Sequence, residues 1–70
     1  MRRKPVDSSN LKSVGYSPTK KVLEIGFKSG STYRYDNVPK SEHLGLMAAA
    51  SHGKYHHKNI RTAYPYTRIK

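Results

Sequence analysis

The chain has 70 residues, which makes one domain with a small apolar core, because a second domain would be too short to enclose an interior of its own. Fourteen Lys and Arg against four Asp and Glu give a formal net charge of +10, so nucleic acid is the first partner to consider and anionic membrane the second. The absence of cysteine excludes disulfides, thiolate catalysis and cysteine-based zinc sites, and no apolar run approaches the length of a membrane span, so we expect a cytoplasmic protein without membrane contact.

The N-terminal part of the chain predicts a loose start followed by a hairpin. Residues 1–8 are basic and then polar, and we expect a flexible basic arm there, with a single domain over 9–70. Val14 and Tyr16 alternate with polar or small residues, as in a short strand. The proline within 17–20 already has the φ angle that the second position of a turn requires, so the chain is expected to reverse there.

The middle of the chain carries the clearest strand, because Leu23, Ile25 and Phe27 fall on one face. Gly30 accepts a positive φ without steric cost, which predicts a tight reversal after this strand. Residues 31–36 then return antiparallel as a third strand. The three strands form a predicted meander, and the apolar triple is its contribution to the core.

A helix is expected over residues 40–50, since Leu44, Met47 and Ala48 recur at helical spacing, with Leu46 and Ala50 beside them, and would cover the apolar triple of the sheet. A proline directly before it is compatible with a first turn, whose amide hydrogens lack partners within the helix. Gly45 weakens the helix slightly but permits close approach of a neighbouring group.

The last third of the chain predicts a second short helix over residues 55–61, with Tyr55 and Ile60 facing inward. Pro65 cannot continue a helix, so the residues after it are expected as an extended tail laid over the domain. The predicted fold class is therefore α+β: a three-stranded antiparallel β-meander packed on one α-helix, then a second short helix and an extended C-terminal tail.

Two tyrosines flank an arginine in the third predicted strand. Because side chains alternate along a strand, Tyr33 and Tyr35 share one face and Arg34 lies on the other. Two interpretations stay open: the tyrosines face outward as a platform on which bases stack, or they join the core and Arg34 is the exposed group. A structural role is favoured for at least one tyrosine, because tyrosine is a common strand residue.

The C-terminal segment carries a second group of cations and aromatics, in which Arg61 and Arg68 flank Tyr64 and Tyr66. The planar fork of arginine suits phosphate, whereas the tyrosines are expected mainly to anchor the tail. Lysines spread along the chain are further candidates for phosphate contacts, although each alone is typical of a solvated surface. These lysines are Lys12, Lys20, Lys21, Lys28, Lys40, Lys54 and Lys58.

Metal and catalytic chemistry find little support in the sequence. His52 and His56 have the spacing of a metal-binding pair, but no carboxylate lies nearby to complete a site, so no metal is expected. Both are predicted as partly charged surface histidines on a phosphate-binding face. No nucleophile with a positioned base can be named, so we expect no enzyme activity. A metal-independent ribonuclease would need His56, Tyr33 and Arg34 to meet.

A series of short motifs runs through nearly the whole chain beyond residue 5. The motifs are Val14-Gly15-Tyr16, Phe27-Lys28-Ser29-Gly30, Tyr33-Arg34-Tyr35, Val38-Pro39, Gly53-Lys54-Tyr55, Asn59-Ile60-Arg61 and Tyr64-Pro65-Tyr66. In this order they resemble the KTSC domain, a module found at the C-terminus of some lysyl-tRNA synthetases and as a stand-alone bacterial or phage protein. His56 and His57 depart from the pattern of that family.

The resemblance implies RNA binding, through the attachment of the module to a tRNA-charging enzyme. Together with the charge it predicts a small basic nucleic-acid-binding module without a cofactor, preferring RNA to DNA and binding with low sequence specificity through phosphate contacts and tyrosine stacking. The alternative is a protein-interaction module, a phage or bacterial accessory factor, and the ribonuclease is the third hypothesis. The candidate site residues are Tyr33, Arg34, Tyr35, Lys54, Lys58, Arg61 and Arg68.

Overall fold

A computed structural model describes residues 3–70, which form one antiparallel sheet and two helical segments. The flexibility predicted for residues 1 and 2 lies outside the described residues. The strands are β1 (Lys4–Pro5), β2 (Leu11–Ser17), β3 (Val22–Phe27), β4 (Thr32–Tyr35) and β5 (Tyr66–Arg68). The helices are α1 (Lys40–Ala48) and α2 (His52–Tyr55), and a π-helical turn (His56–Ile60) continues α2.

The class α+β and the central meander are confirmed, but the number of strands was predicted wrongly. The sheet order is β1-β2-β3-β4-β5, with every neighbouring pair antiparallel. The predicted meander corresponds to β2, β3 and β4. The two additional strands come from the predicted arm, whose Lys4 pairs with Val14, and from the predicted tail, whose Tyr66 pairs with Tyr35. Strands of two or three residues show no alternation, so the edges of the larger sheet determine where they form.

The two faces of the sheet have different roles. Leu23 pairs with Tyr35 and Ile25 pairs with Tyr33 across β3 and β4, so both tyrosines project to the face of the apolar triple. The helices cover this face, and Leu23 and Ile25 are fully buried in the core. Arg34 projects to the opposite face and is exposed. Of the two interpretations of this strand, the structure therefore shows the one with Arg34 outward and Tyr35 in the core.

Helix α1 covers the core through Leu46, which was predicted beside the main apolar face, and through Met47, whereas Leu44 of that face points away. Leu46 is fully buried, whereas Leu44 is 55% exposed. The apolar residues of α1 fall on two overlapping faces of the helix, so their spacing does not choose between them, and packing against the sheet decides. The helix also ends at Ala48, earlier than the predicted residue 50.

One carboxylate joins α1 to the segments that follow it. The hydroxyl of Tyr55 donates to Oε1 of Glu42 at 2.6 Å, and the hydroxyl of Tyr64 donates to Oε2 at 2.9 Å. Tyr55 lies directly against Gly45, where an added Cβ would come within 2.9 Å of the Tyr55 Cζ atom. The close approach predicted at this glycine is therefore present. We call Glu42, Tyr55 and Tyr64 the Glu42 clamp.

The second helical segment begins at a cap and then widens. Ser51 caps α2, since its Oγ accepts the backbone N–H of Lys54 at 3.3 Å. The backbone N–H of Arg61 donates to the carbonyl of His56 at 2.9 Å, five residues back, which defines the π-helical turn. Ile60 is fully buried, as predicted. Among residues 3–70, no helix is long and apolar enough to cross a membrane.

Candidate functional site

A cleft of about 580 Å³ lies where the ends of β3 and β4 meet the π-helical turn. Its aromatic lining comes from three strands and the turn: Phe27, Tyr33, Tyr35, Tyr66 and His56. Its volume falls within the range of small-molecule and cofactor sites, roughly 300–1,000 Å³. We call this site the aromatic cleft.

The walls of the aromatic cleft are rings in mutual contact. The ring of Tyr33 lies edge-on to Phe27 at 5.8 Å between centroids, and tilted against Tyr66 at 5.7 Å. Tyr66 is 58% exposed, so it offers solvent an aromatic surface, whereas Tyr33 is half-buried. Rings in these arrangements support each other and hold their positions without the aid of a ligand.

The floor of the aromatic cleft is a hydrogen-bonded pair. The Tyr35 hydroxyl and Nε2 of His56 are 2.7 Å apart, and the two residues are 3% and 8% exposed. Burial is the largest cause of both pKa shifts: it lowers the pKa of His56 to about 4 and raises the pKa of Tyr35 to about 12. His56 was predicted as a partly charged surface histidine, and this prediction is wrong, because the residue is buried and neutral near pH 7.

The charge of the aromatic cleft is positive. Arg61, His57 and Lys28 line it, and none of its lining residues in the described chain is acidic. The Nη1 of Arg61 donates to Nδ1 of His57 at 3.1 Å, so the guanidinium that lines the cleft is oriented by an imidazole. An anionic group that enters the site therefore meets cations at the mouth.

A basic groove adjoins the aromatic cleft. Lys54 and Lys58 line it, one helical turn apart, and the groove has a volume of about 570 Å³. It shares Asn10, Gly53 and His57 with the cleft, so the two form one continuous surface. We call this second part the basic groove.

The structure brings together most of the predicted site residues. Tyr33, Tyr35 and Arg61 line the aromatic cleft, and Lys54 and Lys58 line the basic groove. Arg68 on β5 pairs with Tyr33 and shares its sheet face.

Arg34 is separated from these residues. It lies on the opposite face of the sheet, with its Nε 3.5 Å from a carboxylate oxygen of Asp36. Because Arg34 projects to the face of the sheet opposite Tyr33 and His56, the constellation required by the ribonuclease hypothesis does not form. The candidate site is therefore built without Arg34.

Sequence reasoning missed Phe27, His57 and Tyr66 as site residues. Phe27 was assigned to the core, but it ends its strand and reaches only half-burial, where the cleft begins. Tyr66 was predicted to anchor the tail, whereas the pairing of β5 with β4 places it in a wall of the site. The spacing of Tyr66 and Arg68 was the available signal, since residues two apart in a strand share a face.

The histidines singled out for metal binding have other partners. The Nδ1 of His52 donates to the carbonyl of Leu46 at 2.8 Å, while His56 contacts Tyr35. Within the described part of the chain, no group of three or more His, Cys, Asp or Glu residues is arranged to hold a metal ion.

Comparisons with known proteins identify close relatives. The family model described as KTSC domain matches residues 7–64. A crystal structure of a KTSC domain protein from Yersinia pestis superposes with a TM-score of 0.93 at 37% identity, covering 99% of this chain and 97% of the other. An uncharacterised protein of Stutzerimonas stutzeri is 39% identical over 70 residues, 99% of each chain. A lysine–tRNA ligase of Nostoc sp. is 36% identical over 63 residues, 90% of this chain and 11% of the ligase.

Proposed function

This chain belongs to the KTSC domain family, and from that premise we propose that it is a nucleic-acid-binding module that binds single-stranded RNA with low sequence specificity. One observation carries the proposal: the aromatic cleft and the basic groove form one continuous surface. Its described lining residues include four aromatic residues of the sheet and no acidic residue. Phosphates require cations, and unpaired bases require exposed rings.

The proposed division of work follows from geometry. Lys54 and Lys58 on the basic groove contact the phosphates, and Arg61 at the mouth of the cleft continues that track. Tyr33 and Tyr66 provide stacking surfaces, each worth roughly 1–3 kcal/mol per base. Phosphate contacts and stacking depend on charge and on ring area and not on the identity of the base, so they contribute affinity without strong sequence preference.

The preference for RNA rests on the relatives. A region equivalent to this chain occurs within proteins named lysine–tRNA ligase, where it occupies 11% of the length. In an enzyme that acts on tRNA, the polyanion closest to an attached module is RNA. This favours RNA over DNA as the ligand of this chain.

The protein-interaction alternative is less well supported. An exposed apolar patch formed by Tyr35 and the tail would support it. Instead, Tyr35 is buried, and Tyr66 lines the same cleft as Lys28 and Arg61. Exposed apolar side chains do occur at Tyr66 and Ile69, at the sheet edge. A partner protein that stays bound after nuclease treatment would support this alternative.

The proposed function is tested by anisotropy titration of labelled single- and double-stranded RNA and DNA at two salt concentrations. With four to six phosphate contacts, the slope of log K against log salt is expected to be roughly −3 to −5. Single-stranded RNA should bind most tightly. Undetectable binding of all four nucleic acids at low salt would overturn the proposal.

A matched pair of charge variants locates the surface. The double variant K54E/K58E changes the basic groove, whereas K20E/K40E makes the same change of charge at exposed positions outside the groove and the cleft. The first is expected to weaken binding of RNA at least about tenfold more than the second, because only its lysines lie beside Arg61. Equal losses would mean that net charge alone attracts the RNA.

A further inference from the structure

The floor of the aromatic cleft has a property that phosphate binding does not use. Tyr35 and His56 come from β4 and the π-helical turn, and their 2.7 Å hydrogen bond joins the sheet to that turn. Both residues line the cleft, so the pair is reached by a ligand that passes the walls. Phe27 contacts the His56 ring at 5.2 Å and closes the site on that side.

Either partner can donate the hydrogen of the Tyr35–His56 bond, and the oxygen and nitrogen stay at the same positions in both cases. Both groups are neutral near pH 7, because burial moves their pKa values away from neutrality in opposite directions. If the tyrosine hydroxyl donates to Nε2 of His56, its oxygen keeps lone pairs that accept a further hydrogen bond. If Nε2–H donates to the tyrosine oxygen instead, the hydroxyl hydrogen is available to a ligand. The floor can therefore act as an acceptor or as a donor.

The walls of the aromatic cleft determine which kind of ligand can contact the Tyr35–His56 pair. Tyr33 and Tyr66 are 5.7 Å apart between centroids and present aromatic surface at the mouth, where a flat ring can stack. Arg61 lies at the same mouth, where a phosphate attached to such a ring would follow. A base within a duplex cannot enter without unpairing, which costs a few kcal/mol, so an unpaired base is the natural occupant.

We propose that the aromatic cleft holds one unpaired nucleobase, stacked on Tyr66 and Tyr33, and that the Tyr35–His56 pair gives its edge either a donor or an acceptor. The inference rests on the proposed function and deepens it, since it names the part of the nucleic acid that occupies the site. It also accounts for low specificity at a buried polar contact, because rotation of the Tyr35 hydroxyl together with the change of His56 tautomer, in which the proton moves from Nδ1 to Nε2, accommodates edges of opposite pattern.

The first test compares intact and abasic strands of equal length, so that the phosphates stay the same and only the bases are absent. The intact single strand is expected to bind at least about fivefold more tightly, since one stacked base contributes roughly 1 kcal/mol or more. In Tyr66→Ala this difference should fall below about twofold, with abasic binding unchanged. Thr67→Ala is the control, because Thr67 is exposed on β5 and pairs with Arg34, on the other face of the sheet.

The second test compares oligouridine with oligocytidine, whose rings have the same size and opposite donor and acceptor patterns at positions 3 and 4. Their affinities are expected to agree within about threefold. A difference above about twentyfold would overturn the adaptable floor. Equal binding of intact and abasic strands would overturn the whole inference, together with the stacking role given to Tyr33 and Tyr66, while leaving RNA binding through phosphate contacts standing. No binding of either strand would mean that the proposed function itself has failed.

Discussion

Two tyrosine clusters on the helix-covered side of the molecule are built from similar residues and differ in what surrounds the rings. In the Glu42 clamp, one carboxylate accepts the hydroxyls of Tyr55 and Tyr64. In the aromatic cleft, the hydroxyl of Tyr35 meets a neutral imidazole, and the charged groups nearby are cations. Tyrosine content alone does not mark a binding site. An acid among the rings closes a cluster to polyanions, whereas cations leave it open to them.

The electrostatic signatures of the two clusters differ in the same way. The hydrogen bond to Glu42, followed by burial, raises the pKa of Tyr55, and burial together with the same carboxylate raises the pKa of Tyr64 to about 12. These raised pKa values belong to hydroxyls that already donate a hydrogen bond to Glu42 within the fold. In the cleft, the charge of Arg61 acts in the opposite direction on Tyr35 and lowers its pKa against the larger effect of burial.

Removing the carboxylate of the clamp is expected to have the largest effect on stability. Glu42→Ala deprives two tyrosine hydroxyls of their acceptor, and hydrogen bonds to a charged group contribute about 1.5–3 kcal/mol each, so we expect a loss of about 3 kcal/mol. Urea denaturation followed by circular dichroism measures it. Glu24→Ala is the control, because it makes the same change of charge but breaks only the 3.6 Å ion pair with Arg3, worth less than about 1 kcal/mol. Similar losses in both variants would show that the clamp does not hold the fold together.

Acidification is expected to act on the cleft. His56 has a pKa of about 4 in the folded protein and near 6.5 in an unfolded chain. The unfolded state therefore takes up the proton first as pH falls, and the free energy of unfolding should decrease between pH 6.5 and pH 4. From pH 7 to pH 5 the loss is at most about 2 kcal/mol, measured by urea titration at both values.

Variants of two adjacent histidines test whether the loss of stability between pH 7 and pH 5 comes from His56. His56→Gln keeps a polar partner for Tyr35 but does not titrate, so it should lose less stability over the same interval. A smaller loss should remain, since burial and nearby lysines also lower the pKa of His43. His57→Gln alters an exposed histidine and should retain most of the loss, because His57 is the smallest of the three causes that lower the pKa of His56. An unchanged loss in His56→Gln would place the acid sensitivity elsewhere.

Deleting single hydroxyls gives the smallest and most direct comparison of the clusters. Tyr64→Phe removes a hydrogen bond to Glu42 and is expected to cost about 1 kcal/mol. Tyr66→Phe keeps the exposed ring and should change stability by less than about 0.5 kcal/mol, with RNA affinity retained because stacking uses the ring. Denaturation and anisotropy titrations measure both quantities. A larger stability loss for Tyr66→Phe would reverse the roles assigned to the clusters.

The central sheet could be predicted because local rules are strong there. Leu23, Ile25 and Phe27 alternate with polar or small residues, and Gly30 occurs where the reversal requires its φ of +103°. The same alternation placed Arg34 opposite the tyrosines. The motifs that resemble the KTSC domain extended this agreement to nearly the whole chain, and the family is confirmed.

The residues that could not be predicted depend on contacts between distant segments. β5 forms only because β4 offers an unpaired edge, and His56 is buried only because the π-helical turn brings it over Tyr35. Leu46 rather than Leu44 enters the core because packing selects one of two similar helix faces. Periodicity describes one element at a time, so the cleft, which needs three strands and a turn, was visible only as separate tyrosines and cations.

The order of the strands has a consequence for how the cleft opens. β1 to β4 are joined by short connections, whereas β5 reaches β4 only after residues 36–65, which include both helices. Beyond the ladder that pairs β5 with β4, further backbone hydrogen bonds join Thr32 to Ile69 and Lys70 at one end and Asp36 to Pro65 at the other. An exposed edge strand closed by the longest connection separates from the sheet at lower free energy than the inner strands. The Tyr66 wall thus belongs to an edge of the sheet that exchanges its amide hydrogens before the inner strands do, and a nucleotide stacked there would slow that exchange.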